Sequence, residues 1–107
     1  MLDHRQIDRL RRRLLKKGSE INDALTWLLA GEKVDVEKLL VAGTPGETPE
    51  EKLRRFLALI EDRLEALRRH RYGLCEECGA EISFAELDEV PWQKSCRRCA
   101  LGEVHAP

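Results

Sequence analysis

The sequence has little of what a sheet-built core is made from. Aromatic residues are 5% of its 107 positions, while charged residues are 36%. With Leu dominating the apolar set, that is the composition of long solvent-facing helices, and the expected fold is mainly α. An excess of one charge sign is also missing, since 19 Lys and Arg stand against 20 Asp and Glu for a net charge of -1. Near-neutral balance argues against general affinity for nucleic acid. The basic run Arg11-Arg12-Arg13 wraps around a helix rather than forming one stripe. No stretch approaches the ~18 apolar residues of a membrane span, and Met1-Leu2-Asp3-His4-Arg5 lacks the apolar core of a signal peptide, so a cytoplasmic protein is expected. A nucleophile motif and a Gly-rich phosphate loop are missing too, which reads against an enzyme.

What the chain does have is heptads. From Asp3 to Ala30, apolar residues recur at Ile7, Leu10, Leu14, Ile21, Ala24 and Leu28, an a/d seam interrupted at Lys17. Gly31 stands where a left-handed cap ends a helix, and Gly18-Ser19 is a candidate bend. A second helix starts at Thr48-Pro49-Glu50-Glu51, with Thr48 as N-cap, Pro49 in the first turn and Glu51 closing a capping box. Its seam reads Leu53, Leu57, Ile60, Leu64, Leu67, Arg71 and Leu74. The reading is an antiparallel two-helix coiled-coil hairpin over residues 1–72, with helices at about 3–30 and 49–72 and a tip over 31–48, followed by a head over 73–107. One register pairs Ile7 with Leu74, Leu14 with Leu67, Ile21 with Ile60 and Leu28 with Leu53, leaving Lys17 opposite Leu64 and Arg71 opposite Leu10. In the tip, Asp35 to Leu40 reads as a short helix capped by Asp35, followed by the loop Gly43-Thr44-Pro45-Gly46. Leu15, Leu25, Leu29, Phe56 and Leu59 widen the stripe beyond a two-helix seam and suit self-association if exposed.

A chain of this size often needs a staple for its core. Four cysteines supply one, as Cys75-x2-Cys78 and Cys96-x2-Cys99 with 17 residues between the pairs. Two close pairs in a reducing compartment point to metal rather than disulfides. Two such turns complete a tetrahedral Zn2+ site with Zn–S distances of about 2.3 Å. Four thiolates leave no open position, so the zinc is structural, and Lys94, Arg97 and Arg98 are placed to offset its net negative charge. Gly79 fits the positive φ that follows the second ligand. Glu81-Ile82-Ser83-Phe84 reads as a short strand and Pro91 as the return toward the second pair. His4, His70 and His105 lie at the termini or at a helix end and read as ordinary surface histidines.

Tyr72-Gly73-Leu74-Cys75-Glu76-Glu77-Cys78-Gly79, with Ile82, Leu87, Pro91 and Cys96-Arg97-Arg98-Cys99-Ala100, resembles the DksA/TraR family of C4-type zinc-finger regulators over about the last third of the chain. The resemblance implies a bacterial protein with a zinc head and a coiled-coil arm that enters the secondary channel of RNA polymerase. It also implies working acidic residues at the arm's tip. The family's Asp-x-x-Asp-x-Ala tip motif is missing here, and the tip offers Asp35, Glu37 and Glu47 instead, with Asp35 and Glu37 as the expected partner contacts.

Overall fold

The first helix starts where its backbone donors find a partner. In the computed structural model, which describes residues 2–39 and 46–101, Asp3 Oδ1 accepts from the Gln6 amide at 2.8 Å and Gln6 Oε1 accepts from the Asp3 amide at 3.0 Å. This capping box launches α1 (His4–Leu29). The helix runs on through Gly18-Ser19, and the glycine there serves close packing: a Cβ on Gly18 would lie 3.3 Å from Ile60 Cγ2. The end is as expected, with Gly31 at φ +89°. The Gly31 and Glu32 amides return to the Leu28 and Trp27 carbonyls, each at 3.0 Å.

The connector folds back onto the helix ends. Instead of the helix expected over Asp35 to Leu40, a single 3-10 turn spans Val36–Lys38. Asp35 precedes it, but its carboxylate accepts no capping bond and lies 4.0 Å from Lys38 Nζ. Val36 is buried in the hairpin core, which draws the turn inward. Leu40, where the expected helix ends, and Gly43, Thr44 and Pro45 lie outside the described residues. The next helix, α2 (Pro49–Arg68), opens on the expected box: Thr48 Oγ1 accepts from the Glu51 amide at 3.1 Å, and Glu51 Oε2 accepts from the Thr48 amide at 3.4 Å.

The helix α2 stops at Arg68 rather than near residue 72. His70 takes φ +58°, the Arg71 amide reaches back to the Ala66 carbonyl at 2.8 Å and the His70 amide to the Leu67 carbonyl at 3.3 Å. This is a Schellman turn with histidine in the glycine position. The seam therefore ends early. Leu74 falls beyond the end of α2 and is 41% exposed, so the Ile7–Leu74 pair is not a buried layer of the seam. Leu10 is buried with Cys75, Ile82, Leu87 and Cys99, while Arg71 is exposed. On α2 the face that is buried reads Leu53, Phe56, Ile60, Arg63 and Leu67, while Leu57 and Leu64 are half-buried at its edge. Phe56 and Arg63 thus take the seam positions expected for the two leucines. Gly18 packs on Ile60, and Ile21 and Ile60 are buried in the same core. Of the residues expected to widen the stripe, Leu25 and Phe56 are buried in the hairpin core, whereas Leu15 and Leu29 are exposed.

Beyond α2 the chain makes a compact unit with α3 (Phe84–Glu89) and α4 (Arg97–Ala100). The expected strand at Glu81–Phe84 shrinks to one antiparallel bridge between Leu74 and Glu81, because Ser83 Oγ accepts from the Glu86 amide at 3.2 Å and starts α3. This unit lies along the flank of the hairpin. Trp92 packs edge-on against Phe56, with centroids 5.1 Å apart, and the Lys17 ammonium sits 5.5 Å from the Trp92 ring. Lys17 therefore meets an indole.

Candidate metal centre

Two tight turns bring the four cysteines together. The Cys75 amide donates to the Ala80 carbonyl at 2.8 Å, and the Gly79 amide to the Cys75 carbonyl at 2.9 Å. Gly79 stands at φ +76°, as expected after the second cysteine. The other pair uses a helix start: Cys96 precedes α4, its carbonyl accepts from the Ala100 amide at 2.9 Å, and Cys99 lies within the helix. All four Sγ atoms fall within 4.8 Å of one another, and the Cys78 and Cys96 sulfurs are 3.9 Å apart. A tetrahedron with metal–sulfur bonds of about 2.3 Å has sulfur–sulfur edges of about 3.8 Å. The four cysteines are thus positioned to bind one metal ion.

Electrostatics at the cluster are uneven. Burial pushes the Cys75 thiol up, but the Cys96, Cys78 and Glu77 amides and the Cys78 thiol bond to its sulfur and bring it down to about 6. Cys99 moves the other way, raised by burial and then by its bonds with Cys96, Cys75 and Cys78. One thiolate is favoured at neutral pH and the next is resisted, which a cation among the four sulfurs relieves.

Two of the three cations expected to offset the cluster's charge are shared with carboxylates. Lys94 Nζ lies 3.3 Å from Asp62 and 4.0 Å from Glu76, and Arg97 lies 3.5 Å from Glu89. Arg97 and Arg98 also line a cleft with Cys78 and Cys96. Two further groups escaped the heptad reading. Asp88 on α3 is 2.8 Å from Arg9 and 3.0 Å from Arg13, tying the head to α1. Arg63 on α2 is 2.7 Å from Glu76, which sits inside the first cysteine pair. Tyr72 completes the attachment, with its hydroxyl donating to the Pro91 carbonyl at 2.7 Å and its phenol held above the ordinary value by burial.

The acidic residues expected at the tip lie there, away from the cysteines. Asp35 and Glu37 are exposed in the connector at the other end of the hairpin, and Glu37 pairs with Lys52 at 3.2 Å. Of the histidines, His4 is exposed and His70 serves the α2 terminus, while His105 lies outside the described residues. No helix among the described residues is long and apolar enough to cross a membrane.

No protein-family model matches the chain. An uncharacterised protein of Aquifex aeolicus is 42% identical over 83 residues, covering 78% of this chain and 53% of that protein, so the chain spans about half its relative's length. Among solved structures, the transcription factor DksA2 from Pseudomonas aeruginosa aligns with a TM-score of 0.73 at 21% identity, covering 94% of this chain and 84% of its own. The RNA polymerase binding protein and transcriptional regulator Dks from Chlamydia trachomatis aligns with a TM-score of 0.63 at 20% identity, covering 95% and 91%. By fold, then, the chain is DksA-like, a helical hairpin that carries a four-cysteine head.

Proposed function

We propose that this chain is a cytoplasmic transcription regulator that binds RNA polymerase, entering its secondary channel with the hairpin. The observation that carries the reading is the alignment of nearly the whole chain with two DksA-type regulators, combined with the four-cysteine cluster in the head. Cys75, Cys78, Cys96 and Cys99 hold one structural Zn2+, a choice supported by four sulfur donors at tetrahedral spacing. The ion's chemistry is that of a clamp: it neutralises thiolates and fixes two turns against Leu10 and α3. With all four positions taken by protein sulfur, the site activates no water, and the protein acts by contact rather than catalysis.

At the far end of the arm, Asp35 and Glu37 are the acidic side chains that meet the polymerase. Their exposure supports this role, and so does the fold-back of Val36, which holds the turn they stand on. A native-gel titration with core RNA polymerase is the test. The parent protein shifts the polymerase at micromolar concentration, and the Asp35→Ala/Glu37→Ala variant binds at least several-fold more weakly. Absence of any complex, or equal binding by the variant, contradicts the proposal.

A further inference from the structure

Arg63 is the only charged side chain buried among the described residues. Burying a guanidinium is costly unless its donors are met, and here they are met by a specific pair of carboxylates. Arg63 Nη2 lies 2.6 Å from Asp62 Oδ2 and 2.7 Å from Glu76 Oε1, and Arg63 Nε donates to Asp62 Oδ2 at 3.1 Å. Glu76 is the residue that follows the first cysteine of the Cys75–Cys78 turn. Its backbone amide donates to the Lys94 carbonyl at 2.9 Å, two residues before Cys96. Lys94 in turn reaches back to Asp62. One buried guanidinium therefore anchors the first cysteine turn to the core face of α2, and a backbone bond joins that turn to the approach of the second pair.

We propose that Arg63 is a positioning residue for the metal centre: acting through Glu76, it fixes the Cys75–Cys78 turn on α2 and so sets the affinity and coordination geometry of the site. This rests on the reading that the four cysteines hold a metal ion. A role limited to salt-bridge stapling of head to arm changes unfolding without changing the coordination of a folded protein. Geometric positioning changes both. The planar fork of arginine matters to this arrangement, because one guanidinium reaches carboxylates on two elements at once, which a lysine ammonium does not reproduce.

The test uses the full chain with Arg63→Lys, Glu76→Gln and both together. Zinc affinity is read by competition with a chromophoric chelator, and geometry by the visible d–d and thiolate charge-transfer bands of the cobalt(II)-loaded protein. Each single variant is expected to weaken zinc by about 10- to 100-fold, as outer-shell substitutions do, and to shift the cobalt bands. The double variant is expected to be no weaker than the worse single. Parent-like affinity and spectrum in Glu76→Gln, or losses that simply multiply in the double variant, overturn the proposal. The Glu76 side chain is half exposed, so its amide substitution leaves a folded protein even if Arg63→Lys does not, and circular dichroism confirms this before titration. If the parent chain takes up neither zinc nor cobalt, the metal reading itself falls, an outcome distinct from the variants matching a metal-loaded parent.

Discussion

At the scale of single residues, His70 pays the strain of a left-handed conformation so that α2 can stop and the chain can turn into the head, φ being +58° there. Glycine takes that conformation without a Cβ penalty. His70→Gly is expected to raise stability by up to about 1 kcal/mol in urea unfolding. Asp88 offers a pH test. A hydrogen bond from Arg9, then Arg13, holds its carboxyl below the ordinary value of 3.8. A carboxylate depressed in the folded state contributes stability above its unfolded pKa and loses it as pH falls through the folded one. The difference in Tm between the parent and Asp88→Asn, present at pH 7, should therefore close as the pH is taken below 3.8. A difference that persists under acid would show that Asp88 acts through packing. For the cysteines, Cys75→Ser or Cys99→Ser should abolish tight zinc uptake, measured as zinc per chain by mass spectrometry. The cysteines were legible from spacing alone, because two short turns suffice to gather four sulfurs. Arg63 and Asp88 were not legible, because their partners Glu76, Arg9 and Arg13 are distant in sequence and a charged residue in a heptad reads as a solvent-facing position.

Elements were legible where a local chemical signal marks them. Thr48-Pro49-Glu50-Glu51 and Gly31 gave true boundaries, and Ser83-x-x-Glu86 carries the same kind of start signal for α3, although β-propensity at Ile82 points the other way. The end of α2 had no glycine to announce it. The seam of α2 was ambiguous for a different reason: Leu53, Ile60 and Leu67 belong to two heptad readings, one completed by Leu57 and Leu64, the other by Phe56 and Arg63. The second is completed by contacts with the head, Phe56 with Trp92 and Arg63 with Glu76, which the heptads do not encode. The packing of α1 on α2 can be tested at Gly18, where a Cβ would stand 3.3 Å from Ile60. Gly18→Ala should lie within about 1 kcal/mol of the parent, the gain in helix propensity offsetting the tight contact. Gly18→Leu should cost about 1–3 kcal/mol by forcing the helices apart. A stabilising leucine would show that the helices are not in close contact there.

On the scale of the whole molecule, the head is a sleeve against the base of the hairpin rather than a knob at its end. With 26 residues at about 1.5 Å each, α1 is roughly 39 Å long. Trp92 and Asp88 grip it from Arg9 to Lys17, and the stretch from Gly18 to Leu29, roughly 18 Å, runs on from there to the connector. Metal removal should loosen that sleeve. In a Trp27→Phe variant, which removes the exposed indole, chelation should shift Trp92 emission to the red as it leaves Phe56, and unchanged emission would show that the head holds its place without metal. The short remaining length concentrates the proposed polymerase contact on the connector. The most direct test places a photo-crosslinking residue at position 37 of the zinc-loaded chain and identifies the polymerase peptides it captures. Adducts to peptides lining the secondary channel are the predicted result. Capture elsewhere on the enzyme, or capture from a label at position 98 in the head but none from position 37, would contradict the account.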